Sequence, residues 1–208
     1  MSRNLSAAAL LTALMTLVAA MALRAADATL AVAAVAALAV LFTWYANLSS
    51  TAEQSSIGLV NPAAAVALAI VGRQPWSTFL PGLAAHLVGA VVGGLIALAL
   101  DDRLGDTLVF ADPSLALAAV GAGVAGLIVA WSTLSIDGGG PEALAVVPVV
   151  VGGATVPLGL LTVFHPAAVI GLATAGLVPW DAALVAAGVA LVAAAIGGYA
   201  VALLVPDE

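Results

Sequence analysis

Two tripeptides carry the side chains best suited to chemistry in this chain of 208 residues. They are Asn61-Pro62-Ala63 and His165-Pro166-Ala167, and they lie 104 residues apart. Asparagine before a first helical turn can accept a backbone N–H with its side-chain oxygen, and proline suits the turn itself. The amide NH₂ of Asn61 then remains able to donate. We therefore expect short helices whose N-terminal ends orient small polar molecules.

The residues around the tripeptides form an internal duplication. Residues 61–100 align with 165–204 without a gap, and rare residue types coincide, which chance seldom produces. The matched pairs are Pro62 and Pro166, Gly72 and Gly176, Pro75 and Pro179, Trp76 and Trp180, and Gly93-Gly94 and Gly197-Gly198. The alignment predicts two repeats, at about 5–105 and 109–205, within a single membrane domain that covers residues 1–208.

The composition is that of a membrane protein. Hydrophobic residues make up 64% of the chain, charged residues 7%, and the mean hydropathy is +1.26. Such a chain belongs in a bilayer, and we expect a multi-pass protein of the cell membrane. A net charge of -7 argues against nucleic acid as a partner.

The residue inventory argues against an enzyme. The chain has no cysteine and only two histidines, so thiolate and multi-histidine metal sites are not expected. No nucleophile–base constellation and no phosphate-binding loop occurs in the sequence. We predict neither a cofactor nor a catalytic site.

The apolar segments predict an all-α polytopic fold with six transmembrane helices and two re-entrant half-helices. A span needs about 20 apolar residues. The predicted spans are residues 5–23, 28–48, 76–101, 114–131, 142–161 and 180–205. The segments 61–72 and 165–176 are too short to span, and each begins with X-Pro-Ala and ends at glycine.

Each half therefore contains three spans and one half-helix. Because three is odd, the second half must cross the membrane in the opposite sense, which is the inverted-repeat plan with its site at the midplane. Two half-helices entering from opposite faces would bring their positive N-terminal ends together. Such a junction repels cations but admits neutral solutes.

The stretch NPAAAVALAIVGR, followed by a glycine-marked span, resembles the first Asn-Pro-Ala region of the aquaporin and aquaglyceroporin (major intrinsic protein) family. The resemblance is strongest over residues 61–94 and weaker over 162–198. It implies a homotetramer of independently conducting protomers that carry water, glycerol or similar uncharged solutes.

The chain departs from the family at its second motif. His165 replaces the usual asparagine, and Ala168 stands where the family has an arginine. The resemblance places the selectivity constriction at Leu41, Gly153, Thr162 and Ala168. This set is small, apolar and uncharged, so we expect a wider and less water-selective opening than in a strict water channel.

The two histidines each allow two interpretations. His165 either faces the pore as the partner of Asn61, where it could act as a pH gate, or caps its half-helix with one ring nitrogen. His86 lies in the third predicted span, where an ionisable group is a functional candidate. The alternative for His86 is a hydrogen bond between helices.

The sequence thus predicts a passive channel for water or small uncharged, glycerol-like solutes. One alternative is a channel of the same fold for ammonia, carbon dioxide or another small species. Another is a non-conducting membrane protein in which the small apolar filter residues let the pore collapse. A secondary transporter is disfavoured because no acid or arginine lies in the middle of a predicted span.

Overall fold

The structure is a computed structural model that describes residues 2–24, 61–100, 114–136 and 165–204. This part of the chain is all-helical. Its helices are α1 (Ser2–Arg24), α2 (Pro62–Ile70), α3 (Trp76–Ala99), α4 (Leu115–Ile136), α5 (Pro166–Thr174) and α6 (Trp180–Leu204).

Four helices of the described ranges are long and apolar enough to cross a membrane. They are α1, α3, α4 and α6. They coincide with four of the six predicted spans, and the other two, at 28–48 and 142–161, lie outside the described residues. The coarse prediction of a polytopic all-α membrane protein is therefore confirmed.

The distribution of side-chain sizes is that of helices in lipid. Large apolar residues such as Leu80, Val120 and Ile196 are exposed on the long helices, whereas buried positions are mostly alanine and glycine. Small residues let helix backbones approach closely, which is how helices associate where lipid removes the hydrophobic driving force. Trp76 and Trp180, the first residues of α3 and α6, are each 50% exposed and suit an interfacial belt.

The long helices pack as two pairs, α1 with α3 and α4 with α6. Each pair has a glycine at its closest approach. A Cβ atom on Gly89 of α3 would overlap the backbone of Ala9, and one on Gly126 of α4 would overlap the carbonyl oxygen of Ala190.

Each short helix packs on both long helices of the other half of the chain and also on the long helix that follows it. Helix α5 packs on α1, α3 and α6, and α2 packs on α4, α6 and α3. Gly94 of α3 meets Gly171 of α5, and Gly198 of α6 meets Ala67 of α2. Adding 104 to Gly94 gives Gly198, and subtracting 104 from Gly171 gives Ala67. The same contact therefore occurs twice, with the halves exchanged.

Candidate functional site

Asn61 caps the N-terminus of α2. Its backbone is extended, at φ -145° and ψ 125°, and its side-chain oxygen accepts the N–H of Ala63 at 2.8 Å. Pro62 follows as the first helical residue, where a missing N–H leaves nothing unsatisfied. The capping role predicted for Asn61 is therefore confirmed.

His165 caps α5 in the equivalent place. Its backbone is also extended, and its Nδ1 accepts the N–H of Ala168 at 3.2 Å. A ring nitrogen that accepts an N–H carries no proton of its own, so a neutral ring holds its proton on Nε2. The capping interpretation of His165 is thus observed, and its role as a pH gate stays a prediction.

The C-terminal ends of the two short helices are built alike. Gly72 and Gly176 have φ values of 75° and 74°, the left-handed conformation that favours glycine. The N–H groups of Arg73 and Leu177, which follow these glycines, donate to the carbonyl oxygens five residues earlier. This shared geometry explains why the glycine pair recurs at a spacing of 104.

The C-terminus of α5 is also bound by an arginine side chain of the first repeat. Arg24, the last residue of α1, is only 4% exposed and donates from Nη2 to the carbonyl oxygen of Ala175 at 3.2 Å. A positive charge at this end is favoured by the helix dipole. Arg24 therefore fixes the position of α5 relative to α1.

Both caps are sealed from solvent. Asn61 and His165 have exposed fractions of 0%, and α2 and α5 contact each other. The remaining motif residues, Pro62, Ala63, Pro166 and Ala167, are buried as well. In this conformation neither capping side chain is exposed to solvent.

The structure places a second histidine beside the second motif. His86 of α3 is 1% exposed, and its ring centroid lies 5.3 Å from that of His165 with the ring planes at 72°. The Nδ1 atom of His86 lies 2.6 Å from the hydroxyl oxygen of Thr12 on α1. The predicted hydrogen bond between helices is therefore present, and the contact with His165 is additional.

The Thr12 hydroxyl contacts both His86 and the backbone of its own helix. The Thr12 hydroxyl can donate its single hydrogen to the carbonyl oxygen of Ala8 at 2.9 Å. The direction of the hydrogen bond between Thr12 and Nδ1 of His86 depends on the tautomer of the ring. Nε2 of His86 has no hydrogen-bond partner among the described residues.

The predicted constriction is only partly described. Ala168 is fully buried in the first turn of α5, where its N–H is bound by His165. Leu41, Gly153 and Thr162 lie outside the described residues, so the constriction stays a prediction. Sequence reasoning missed Thr12, because a threonine within an apolar helix gives no signal of its partner on another helix.

Within the described ranges, no group of three or more histidine or acidic side chains could hold a metal ion. No protein-family model matches the chain, and no curated protein matches it in sequence.

Proposed function

We propose that this protein is a passive transmembrane channel for water or small uncharged solutes of glycerol size. The observation that carries the proposal is the pair of short helices α2 and α5. Each begins at a buried capping residue followed by proline, each ends at a left-handed glycine, and the two helices contact each other. Non-spanning helices at membrane depth are tolerated where they line a passage or are enclosed by protein.

The proposed architecture has six spans and two re-entrant half-helices in inverted repeats. In this architecture residues 28–48 and 142–161 would be the remaining spans. A twofold relation between the halves is supported by the exchanged contacts, in which Gly94 meets Gly171 as Gly198 meets Ala67. With three spans in each half, that twofold axis would lie in the membrane plane.

The selectivity of the passage follows from the helix ends. Each N-terminus carries about half a positive charge, and two of them facing each other repel a cation twice. The passage therefore favours neutral solutes over ions.

The assembly and location follow from the same proposal. The exposed apolar faces of α3, α4 and α6 would lie against lipid or neighbouring protomers of a homotetramer in the cell membrane. Residues Leu41, Gly153, Thr162 and Ala168 would form the selectivity constriction.

A non-conducting protein of the same fold is the second candidate. It is favoured by the complete burial of Asn61 and His165, which leaves no room for water at the junction in this conformation. If the protein is a channel, the burial of Asn61 and His165 corresponds to a closed conformation, which would open by small movements of the helices.

Liposome shrinkage separates these candidates. Purified protein in liposomes is mixed in a stopped-flow cell with sucrose, glycerol or urea, and light scattering reports the volume. A channel accelerates shrinkage in sucrose, and re-swelling in glycerol or urea identifies permeant solutes. Rates equal to those of empty liposomes for every solute would support the non-conducting candidate.

A further inference from the structure

We propose that the passage opens when α2 moves away from α6, and that α5 stays in place as the fixed wall of the passage. The inference rests on the proposed channel function, and it identifies which of the two short helices moves. The capping residues Asn61 and His165 are both fully buried. Conduction therefore requires a shift of at least one of the helices that begin at them, and the differences between the repeats indicate which one.

The first difference is the distance between each short helix and the long helix that meets it through glycine. A Cβ atom on Gly94 of α3 would overlap the carbonyl oxygen of Gly171 on α5. A Cβ atom on the equivalent Gly198 of α6 would lie 3.0 Å from the carbonyl oxygen of Ala67 on α2. The backbones of α6 and α2 are therefore farther apart, and a gap of roughly half an ångström already loses about a quarter of the dispersion attraction.

This difference in distance has its origin in one methyl group. Gly171 packs between Thr16 of α1 and Ala90 of α3, and a Cβ atom there would overlap the Thr16 side chain and lie 2.6 Å from the Ala90 carbonyl oxygen. The counterpart of Gly171 on α2 is Ala67, which carries a Cβ atom. The methyl group of Ala67 keeps α2 at a distance from its neighbours that α5 does not need.

The long helices α1 and α4 occupy equivalent places in the two halves. Gly93 of α3 packs on the backbone of Ala13, and a Cβ atom on Gly197 of α6 would lie 2.9 Å from the Cβ of Ala130. Because Gly93 and Gly197 are counterparts at the spacing of 104, Ala13 and Ala130 are counterparts at a spacing of 117. This spacing identifies the counterpart of each residue of α1.

The second difference is that Arg24 holds the C-terminus of α5, whereas the corresponding residue cannot do the same for α2. Arg24 is 4% exposed, and its Nη2 donates to the carbonyl oxygen of Ala175 at 3.2 Å. A hydrogen bond from a charged donor is roughly twice as strong as a neutral one. At the spacing of 117 the counterpart of Arg24 is Pro141, whose side chain has no donor.

The third difference is that the last turn of α2 is looser and less enclosed. The N–H of Val71 donates to the carbonyl oxygen of Ala67 at 3.4 Å, whereas the equivalent bond from Ala175 to Gly171 is 2.9 Å long. Ala175 has an exposed fraction of 0%, while Val71 is only partly buried and Ile70 is 38% exposed. Segments with weaker hydrogen bonds and less burial open at lower free energy. Helix α2 is therefore the short helix that moves.

Amide hydrogen exchange of the protein in lipid nanodiscs tests this mobility without transport. After correction for intrinsic rates, we expect the amides of residues 67–71 to exchange roughly tenfold faster than those of residues 171–175, because a charge-assisted hydrogen bond holds only α5. Arg24→Ala should raise exchange in α5 towards the rate of α2 and leave α2 unchanged. Wild-type protein in which α5 exchanges as fast as α2 would overturn the inference.

A reversible cross-link tests whether the movement of α2 is needed for conduction. In Ala67→Cys/Gly198→Cys the two Cβ atoms would lie 3.4 Å apart, close to the range of about 3.5–4.5 Å found in disulfides. The control is Gly123→Cys/Val189→Cys, which joins α4 to α6, since a Cβ atom on Gly123 lies 3.6 Å from a methyl group of Val189. The chain has no other cysteine, so oxidation with copper phenanthroline forms only the intended bond.

We expect oxidation to reduce the water permeability of Ala67→Cys/Gly198→Cys liposomes to the value of empty liposomes, and dithiothreitol to restore it. The α4–α6 control should conduct equally in both states. Full conduction by cross-linked Ala67→Cys/Gly198→Cys refutes the movement of α2 and leaves the channel intact. Wild-type protein that does not conduct refutes the channel, and hydrogen exchange then decides separately whether α2 is the mobile helix.

Discussion

The close approach of α3 to α5 predicts a graded response to glycine-to-alanine substitutions. A Cβ at Gly94 would overlap the carbonyl oxygen of Gly171 and lie 2.8 Å from the Cβ of Thr174. At the equivalent Gly198, the nearest atoms are the Ala67 oxygen at 3.0 Å and its Cα at 3.1 Å. A Cβ on Gly188, also in α6, meets nothing within 4 Å.

These distances set the magnitudes. Alanine in a helix interior is favoured over glycine by about 1 kcal/mol, while overpacking costs about 1–3 kcal/mol. Gly188→Ala should therefore raise the free energy of unfolding by about 1 kcal/mol. Gly198→Ala should be nearly neutral, because the two effects offset each other. In Gly94→Ala the obstacle is backbone, so we expect a net loss of about 2 kcal/mol.

Unfolding by sodium dodecyl sulfate in mixed micelles, followed by circular dichroism, measures these differences. The expected order of stability is Gly188→Ala, then wild type and Gly198→Ala together, then Gly94→Ala. Equal stability of Gly94→Ala and Gly188→Ala would refute the close packing of α5 on α3. It would also remove the main support for the exchanged contacts between the halves.

Three further predictions concern charge and topology. Asn61→Asp should admit cations, because a negative charge offsets the positive helix ends, and an unchanged cation leak in liposomes would show that Asn61 does not line the passage. Arg24→Ala should lower the free energy of unfolding by about 2 kcal/mol, since the hydrogen bond to the C-terminus of α5 is charge-assisted and buried. The exposed Arg73 is the control, and Arg73→Ala should cost under 1 kcal/mol; equal losses would contradict the role of Arg24. Ser77→Cys and Asp181→Cys, 104 residues apart in a chain without cysteine, should react with an impermeant maleimide from opposite membrane faces, and labelling from one face would exclude the inversion.

The sequence predicted the local structure of the short helices well, because their signals are local. Asn61 and Pro62 specify an N-terminus, and Gly72 supplies the left-handed residue that ends the helix. The same signals recur at His165, Pro166 and Gly176. The four long helices were predictable from apolar length alone, with ends within a few residues of those observed.

The arrangement of the candidate site could not be predicted in the same way. Its distinctive contacts join residues far apart in sequence, such as Thr12 with His86 and His86 with His165. The sequence of an alanine-rich helix does not indicate which of its faces contacts a neighbouring helix. The register between α1 and α3 is set by glycine contacts that only the structure shows. The exact repeat spacing was predictable only where proline, tryptophan and glycine coincide.

The central claim, that α2 and α5 form a passage for neutral molecules, is tested most directly by osmotic water permeability. Liposomes are prepared with increasing numbers of protein copies, and the shrinkage rate in sucrose is recorded at each ratio. The account predicts a rate that rises in proportion to the number of copies, with no accompanying proton leak. A rate that stays at the value of empty liposomes at every ratio would contradict it.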